Sequence, residues 1–275
     1  MDIIKPTELG DAEALNKITV SDLCQIIALI ERGVSSLESR FTTRALRNSG
    51  PIRSKLNVSV LTEIILTFIS STSSTFTAIS KSLPEIKVKS SSSKDIDSKG
   101  KECIPEVEVF LTYLVVLFLH DSKSYEQGSV LSIFLVELIQ KFNRRTLDQI
   151  ASRVYFFYSR FLELQGRAYL ARPVLLAAQR NATLRHDVDT LATVSNLLLH
   201  NYILYNLYDQ ADKFISKTQF PLSEASNNQV ARYMYHLGRI HAIQLKYSSA
   251  YQYLLQAIRK APQTPTSVGF QRTVH

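Results

Sequence analysis

The sequence predicts an all-α fold, a right-handed superhelical array of antiparallel helix pairs, and three observations favour it. Apolar residues recur at helical spacing through most of the 275-residue chain. Asn-Gly and Asp-Gly pairs, the usual signals of tight β-hairpins, do not occur in the sequence. Small residues recur at nearly constant distances in the second half of the chain, which is typical of stacked repeats.

Residues 1–80 are predicted to form an N-terminal helical region. Thr19 or Ser21 can cap a first helix whose apolar face ends near Gly33, a residue that suits a helix stop. Pro51 is well placed to open a third helix, because proline is favoured in the first helical turn.

The composition then changes over residues 81–102, which are rich in Ser and Lys and poor in large apolar residues. Such a segment is typical of a flexible linker. Residues 103–275 return to a helical pattern, and Pro105 is expected to open the first helix of this region.

The most hydrophobic run lies at residues 109–120 and has about half of the ~20 residues that a membrane-spanning helix needs. We therefore expect a buried helix and no membrane span. Cys24 and Cys103 follow no metal or redox spacing and are expected to be reduced thiols. Such thiols, together with an N-terminus that lacks a signal-peptide pattern, predict a protein of the cytoplasm and nucleus.

A repeat pattern is clearest in residues 235–262. A Leu-Gly pair is followed by Ala twelve residues after the Gly, then by a large apolar residue, a second Ala and a Pro. The residues in these positions are Leu237, Gly238, Ala250, Leu254, Ala257 and Pro262. This is the tetratricopeptide pattern, although Met234 and His241 replace its opening Trp and its later Tyr.

Small residues permit the close helix approach on which such pairs depend. Gly238 costs up to about 1 kcal/mol of helix propensity relative to Ala, so packing against a partner helix must offset that loss. The register continues upstream with a spacing of about 40 residues, longer than the standard repeat. The predicted helix-crossing residues are Gly128, Ala171, Ala211, Gly238, Ala250 and Ala257. A helical bundle with coincidental spacing is the alternative.

Positive charge is concentrated between residues 144 and 185. The chain has a net charge of +8. This interval contains eight arginines and only two acidic residues, Asp148 and Glu163. They are Arg144, Arg145, Arg153, Arg160, Arg167, Arg172, Arg180 and Arg185. Two interpretations are open: a solvated helical surface, or a docking surface for an acidic partner. No signature of a nucleic-acid-binding motif accompanies the charge, so we expect no nucleic acid partner.

Motifs for catalysis, cofactors and metals do not occur in the sequence, which predicts a protein that is not an enzyme. The segment 185–189 places a histidine beside carboxylates, but we expect it to start a helix and the acids to cap it. The aromatic run 155–161 covers all sides of a helix, which indicates burial between neighbouring helices.

Several segments resemble the family of 26S proteasome non-ATPase regulatory subunit 3. Two motifs carry the resemblance best, ATLRHD at residues 182–187 and ARYxYxxGRIxAIQLxYSxA at residues 231–250. Further similar segments are 40–47, 143–160, 181–217, 257–262 and 268–275. The resemblance spans residues 37–275 and is densest after residue 143.

This resemblance implies a tetratricopeptide-like array followed by a PCI domain, the winged-helix module through which lid subunits assemble. It implies a non-catalytic scaffold in ubiquitin-dependent degradation. The implied partners are other lid subunits, including PCI subunits, and a small acidic lid component. Nothing similar to a PCI domain follows residue 275, so we expect a truncated chain that self-associates.

The alternative function is a peptide-binding tetratricopeptide adaptor unrelated to the proteasome. Adaptors that clamp chaperone tails use Lys and Asn at set positions of the first helix. The equivalent pairs here are Tyr235/Arg239, Asn196/His200 and Phe156/Arg160, so the clamp pattern is missing from the sequence.

Overall fold

The computed structural model describes residues 6–70, 73–83 and 103–274. Thirteen α-helices and three short 3-10 helices lie in these ranges, which contain no β-strand, so the all-α prediction is confirmed. The helices are α1 Pro6–Ser36, α2 Ser39–Arg53, α3 Val58–Phe68, α4 Ser74–Ser82, α5 Pro105–Asp121, α6 Tyr125–Phe142, α7 Asp148–Leu164, α8 Ala171–Arg185, α9 Val188–Leu204, α10 Tyr208–Lys217, α11 Asn227–Ile243, α12 Tyr247–Lys260 and α13 Val268–Val274.

Most of the predicted linker, residues 84–102, lies outside the described residues. Its first two residues, Lys81 and Ser82, form the end of α4. The helix after it begins at Pro105, as the sequence predicts. The chain divides into two compact units, residues 1–161 and 162–275, with the boundary near the end of α7.

The first helix is longer than the sequence predicts. It runs from Pro6 to Ser36, so the caps expected at Thr19 or Ser21 and the stop expected at Gly33 are wrong. The Thr19 hydroxyl instead donates a hydrogen bond to the Asn16 carbonyl oxygen at 2.7 Å, inside the helix. Gly33 faces α2, where a β-carbon would lie 3.0 Å from the hydroxyl oxygen of Thr42. This glycine therefore serves close packing and does not end the helix.

The prediction that Pro51 opens a helix is also wrong. Pro51 lies in the last turn of α2, and the next helix begins at Val58. Proline normally drives the preceding residue out of the helical region because its ring contacts that residue's β-carbon. Gly50 precedes Pro51 and has no β-carbon, so α2 continues through both residues.

The core of the first unit is built around α5. This helix contacts α1, α3, α4 and α6, and its side chains are buried on nearly every side. Phe110 and Val115 have no exposed surface, which confirms the buried helix predicted for residues 109–120. None of the helices in the described part of the chain is long and apolar enough to cross a membrane.

The second unit is a succession of helix pairs. Helix α8 packs on α9, α9 packs on both α10 and α11, and α11 packs on α12. Connections of two to three residues reverse the chain between α8 and α9, α9 and α10, and α11 and α12, so each pair is antiparallel. The connection between α10 and α11 is longer and covers residues 218–226.

Most of the short connections use one backbone device, a single residue with positive φ after the helix. These residues are Leu37, Lys123, Asn143, Gly166, His186, Asn206 and Leu245, with φ between 45° and 71°. The left-handed conformation ends a helix and favours glycine, yet one glycine occurs among the seven. Asn143 and Asn206 also tolerate this conformation, whereas Leu37, Lys123 and Leu245 close helix hairpins although the sequence does not mark them as turn formers.

Candidate protein-interaction site

Gly238 lies at a close contact between α11 and α12. A β-carbon at this position would lie 2.7 Å from the Cγ and Cδ2 atoms of Leu254 and 3.5 Å from the carbonyl oxygen of Ala250. Gly238, Ala250 and Ala257 are all buried. The two helices are thus close enough at this point that a side chain on Gly238 would displace Leu254.

The other three small residues occupy buried positions in different helices. Ala171 in α8 and Ala211 in α10 have no exposed surface. Gly128 in α6 is buried against Phe161, whose ring fills the space that a β-carbon of residue 128 would take. Its neighbour is thus an aromatic side chain of α7, whereas Gly238 faces an aliphatic one.

A buried polar network joins α9 to α11, and sequence reasoning missed it. The side-chain amide of Asn196 donates to the carbonyl oxygen of Gln229 at 3.0 Å and to its Oε1 atom at 2.8 Å. The Gln229 amide donates in turn to Thr193 Oγ1 at 3.0 Å. The only sequence signal is an Asn in the middle of a helix that is rich in Leu. Because this amide bonds within the chain, Asn196 is not placed as a peptide clamp would require.

A second polar group holds the start of α8 against the end of α9. Asn201 is buried and donates to the carbonyl oxygen of Ala168 at 2.6 Å, while its Oδ1 atom accepts from Nε of Arg172 at 2.6 Å. The Arg172 guanidinium also lies 4.6 Å from the ring centroid of Tyr205. Arg172, one of the arginines assigned to the docking surface, thus has partners inside its own unit.

The predicted arginine set is divided between the two units, with Arg144, Arg145, Arg153 and Arg160 in the first. Arg144 lies 3.6 Å from the carboxylate of Glu106, which is buried. Arg153 is exposed, but it also hydrogen-bonds Tyr113, and this contact lowers the pKa of the tyrosine against the larger upward effect of burial. These two arginines neutralise or contact groups of their own unit.

The second unit holds Arg167, Arg172, Arg180 and Arg185. Arg167 and Arg180 are exposed, while Arg185 is half-buried in the last turn of α8. A cation in the last helical turn interacts favourably with the negative end of the helix dipole. Arg167 and Arg180 are therefore the members of this group that present most of their charge to solvent.

Large apolar side chains are exposed at the tip of the α11–α12 pair. Tyr247 and Tyr251 are 66% and 68% exposed and lie one turn apart on α12. Leu245, in the preceding turn, is 70% exposed. Clusters of this kind on a protein surface mark sites of association with other proteins.

Histidines that are far apart in the sequence meet in the second unit. The rings of His200 and His236 are 5.9 Å apart, and His200 Nε2 lies 3.3 Å from Glu163 Oε1. Burial, with the nearby positive charges, lowers the pKa of His236 to about 3. No group of three or more His, Cys, Asp or Glu residues suited to a metal ion occurs among residues 6–70, 73–83 and 103–274.

Asp187 confirms the capping role predicted for the 185–189 segment. Its carboxylate accepts a hydrogen bond from the backbone N–H of Thr190 at 3.1 Å and caps α9. His186, beside it, has φ +54° and ends α8. The burial predicted for the aromatic run is confirmed for four of its five aromatic residues, since Tyr155, Phe157, Tyr158 and Phe161 are each at most 6% exposed and Phe156 is half-buried.

A family model described as "PSMD3-like, N-terminal TPR repeats" matches residues 15–275. The match therefore covers both units of the structure and nearly the whole chain. It confirms the tetratricopeptide-like character that the Leu237–Pro262 pattern predicts.

Curated relatives are named as a 26S proteasome regulatory subunit. The "26S proteasome non-ATPase regulatory subunit 3" of Dictyostelium discoideum is 42% identical over all of this chain and 56% of its own length. The "Probable 26S proteasome regulatory subunit rpn3" of Schizosaccharomyces pombe is 39% identical over 98% of this chain and 54% of its own length. The relative from Drosophila melanogaster is 38% identical over 93% of this chain and 52% of its own length. The chain spans about half the length of the curated relatives it matches.

Proposed function

Because the chain belongs to the 26S proteasome non-ATPase regulatory subunit 3 family, we propose that it is a non-catalytic scaffold of the lid of the regulatory particle. In this role it supports lid assembly and, through it, ubiquitin-dependent protein degradation in the cytoplasm and nucleus. Its partners are other lid subunits, including PCI subunits. The observation that carries the proposal is the family match along residues 15–275.

The surface at the tip of α11–α12 is physically suited to such a role. Tyr247, Tyr251 and Leu245 expose apolar area that water solvates poorly. Aromatic residues are enriched at the centres of protein interfaces, where a few of them supply most of the binding energy. We therefore assign these three residues to a contact with another lid subunit.

The exposed arginines Arg167 and Arg180 are proposed to contact the small acidic lid component. Arginine forms paired hydrogen bonds with carboxylates and keeps its charge at any physiological pH. Acidic segments are drawn to such surfaces at long range, and this attraction weakens with added salt. The proposal also keeps the predicted domain organisation, in which a linker at residues 81–102 joins the N-terminal helical region 1–80 to the tetratricopeptide-like repeats of residues 103–275.

Affinity purification of the tagged chain followed by mass spectrometry tests the proposal. Recovery of lid subunits supports it, whereas recovery of chaperones without lid subunits indicates a tetratricopeptide adaptor instead. Replacing Tyr247 and Tyr251 by Glu is expected to reduce lid recovery severalfold. The matched control replaces Gln252 and Gln256, which are exposed on the same helix, by Glu. Equal lid recovery with both double variants would remove α12 from the proposed interface.

A further inference from the structure

A groove of about 590 Å³ lies between α1 and α2 in the first unit. No site described above uses this groove. It is lined by residues from the middle of α1, by residues of α2 between Arg44 and Ile52, and by Lys55, which follows α2. Most of its lining residues are exposed, so a side chain or a short segment of another molecule can enter it.

The floor of the groove is apolar. Ile26 and Ile52 are 2% and 7% exposed and form its base. Leu29 is half-buried, and Ala28 and Pro51 are exposed beside them. Because the two isoleucines are already buried by packing within the unit, the apolar surface open to another molecule belongs to Leu29, Ala28 and Pro51, which suits an apolar side chain from outside.

The rim carries mainly positive charge. Arg32, Arg44 and Lys55 stand on it and are exposed, against the single carboxylate of Asp22. The Arg32 guanidinium lies 4.8 Å from the ring centroid of Phe41, a cation–π contact that limits its motion. The rim therefore carries an excess of two positive charges around an apolar floor.

We infer that this groove binds an acidic segment of another protein that carries apolar side chains. The apolar side chains lie on the floor beside Leu29 and Pro51, and the carboxylates lie against Arg32 and Arg44. Carboxylates pair with arginine at short, directional distances, which fixes the register of such a segment. The concave shape does not suit a membrane surface, which is bound by protruding apolar side chains. The inference does not depend on the proposed lid function.

Fluorescence anisotropy with a labelled synthetic peptide tests this inference on the full chain. The probe is a short peptide in which Leu and Phe lie between glutamates. Replacing Arg32 and Arg44 by Glu is expected to weaken its binding about tenfold, since two charge pairs become repulsive. Leu29→Gln, which leaves the rim charge intact, is also expected to weaken binding. A second peptide with Ser in place of Leu and Phe is expected to bind less tightly than the first.

Arg47→Glu is the matched control, because Arg47 is exposed on α2 and does not line the groove. It is expected to leave peptide binding unchanged, and circular dichroism checks that every variant is folded. Three results would overturn the inference: equal loss with Arg47→Glu, equal binding of the Ser peptide, or unchanged binding by the Arg32/Arg44 variant. Anionic lipid vesicles that bind while the peptide does not, or self-association that Arg44→Glu abolishes without peptide binding, would overturn it too.

Discussion

A β-carbon on residue 238 would lie 2.7 Å from Cγ and Cδ2 of Leu254, closer than real side chains approach one another. Gly238→Ala is therefore expected to destabilise the second unit by roughly 1–2 kcal/mol, because the gain in helix propensity is smaller than the overpacking cost. Urea unfolding of the Gly238→Ala variant, the Leu254→Ala variant and the double variant measures this change in the free energy of unfolding. In a Leu254→Ala background the same substitution is expected to be neutral or stabilising.

Gly269→Ala is the control for this prediction. Gly269 is also helical, but a β-carbon there meets no atom within 4 Å. This substitution is expected to stabilise α13 slightly or have no effect. If Gly238→Ala behaved like Gly269→Ala, the close approach of α11 and α12 would not constrain residue 238.

The stability of the protein is expected to fall as the pH falls below about 6.5, partly because of His236. Burial, with the charges of His200, Arg239 and Arg232, lowers the pKa of this histidine to about 3 in the folded protein. In the unfolded chain the pKa of this histidine is about 6.5. Between these two pKa values the unfolded state binds a proton that the folded state does not, which lowers the free energy of unfolding. The full stability is present above pH ~6.5. The loss contributed by His236 is at most about 1.4 kcal/mol per pH unit.

Urea unfolding at a series of pH values measures this dependence. His236→Gln removes the titrating group and is expected to flatten the curve, whatever its effect on stability at neutral pH. His186→Asn is the control, because His186 is exposed and Asn tolerates its left-handed backbone. A curve that is equally steep with His236→Gln would assign the acid sensitivity to other groups.

The two cysteines are expected to react slowly with alkylating agents. Both are free thiols that line one pocket of about 300 Å³ in the first unit. Burial, followed by the charges of Glu108 and Glu31, raises the pKa of Cys103 to about 11. Burial and Glu63 also raise the pKa of Cys24. Because the thiolate is the reactive form, two pKa units reduce its fraction about a hundredfold.

Iodoacetamide labelling near neutral pH, followed by mass spectrometry of each peptide, measures both rates. Cys103 is expected to react far more slowly in the folded chain than in urea, where its pKa returns to the ordinary value. Cys24→Ser and Cys103→Ser assign the signals. Equal rates in folded and unfolded protein would show that neither thiol is protected.

Reversing two exposed arginines is expected to weaken binding of an acidic partner. Arg167→Glu combined with Arg180→Glu should reduce pulldown of the small acidic lid component severalfold at physiological salt, because attraction becomes repulsion. Arg259→Glu, exposed on α12 and outside the arginine set, is the control and should leave the pulldown unchanged. Unchanged recovery with the double variant would indicate that these arginines form only a solvated surface.

Helices α10, α11 and α12 of the second unit follow from sequence patterns because each has an apolar face, whereas α9 is buried on nearly every side. Helices α10 and α11, Tyr208–Lys217 and Asn227–Ile243, lie within residues 103–275, where the sequence predicts a helical pattern. The regular register around Gly238 is a signal of the same kind, since a glycine in an otherwise good helix calls for a packing reason.

Other features could not be predicted, because they depend on contacts between helices. Glycine is a common helix stop, so the sequence alone suggests that Gly33 ends a helix. Its close packing against α2 gives it a different role inside α1. Leu37 and Leu245 close helix hairpins with φ +55° and +62°, although leucine has no local preference for that conformation. The Asn196–Gln229 bonds are equally invisible, since the partners are far apart in the sequence.

The unequal connections of the second unit determine where foreign sequence can be accommodated. A single left-handed residue, Leu245, reverses the chain between α11 and α12, so extra residues there would pull apart the Gly238 contact. The 218–226 connection is anchored by the Phe220 ring stacked on Tyr233, with centroids 4.0 Å apart. Beyond that anchor, Ser223 and Glu224 are exposed. An epitope or fluorophore spliced between them would report on the chain while leaving both flanking helices in place.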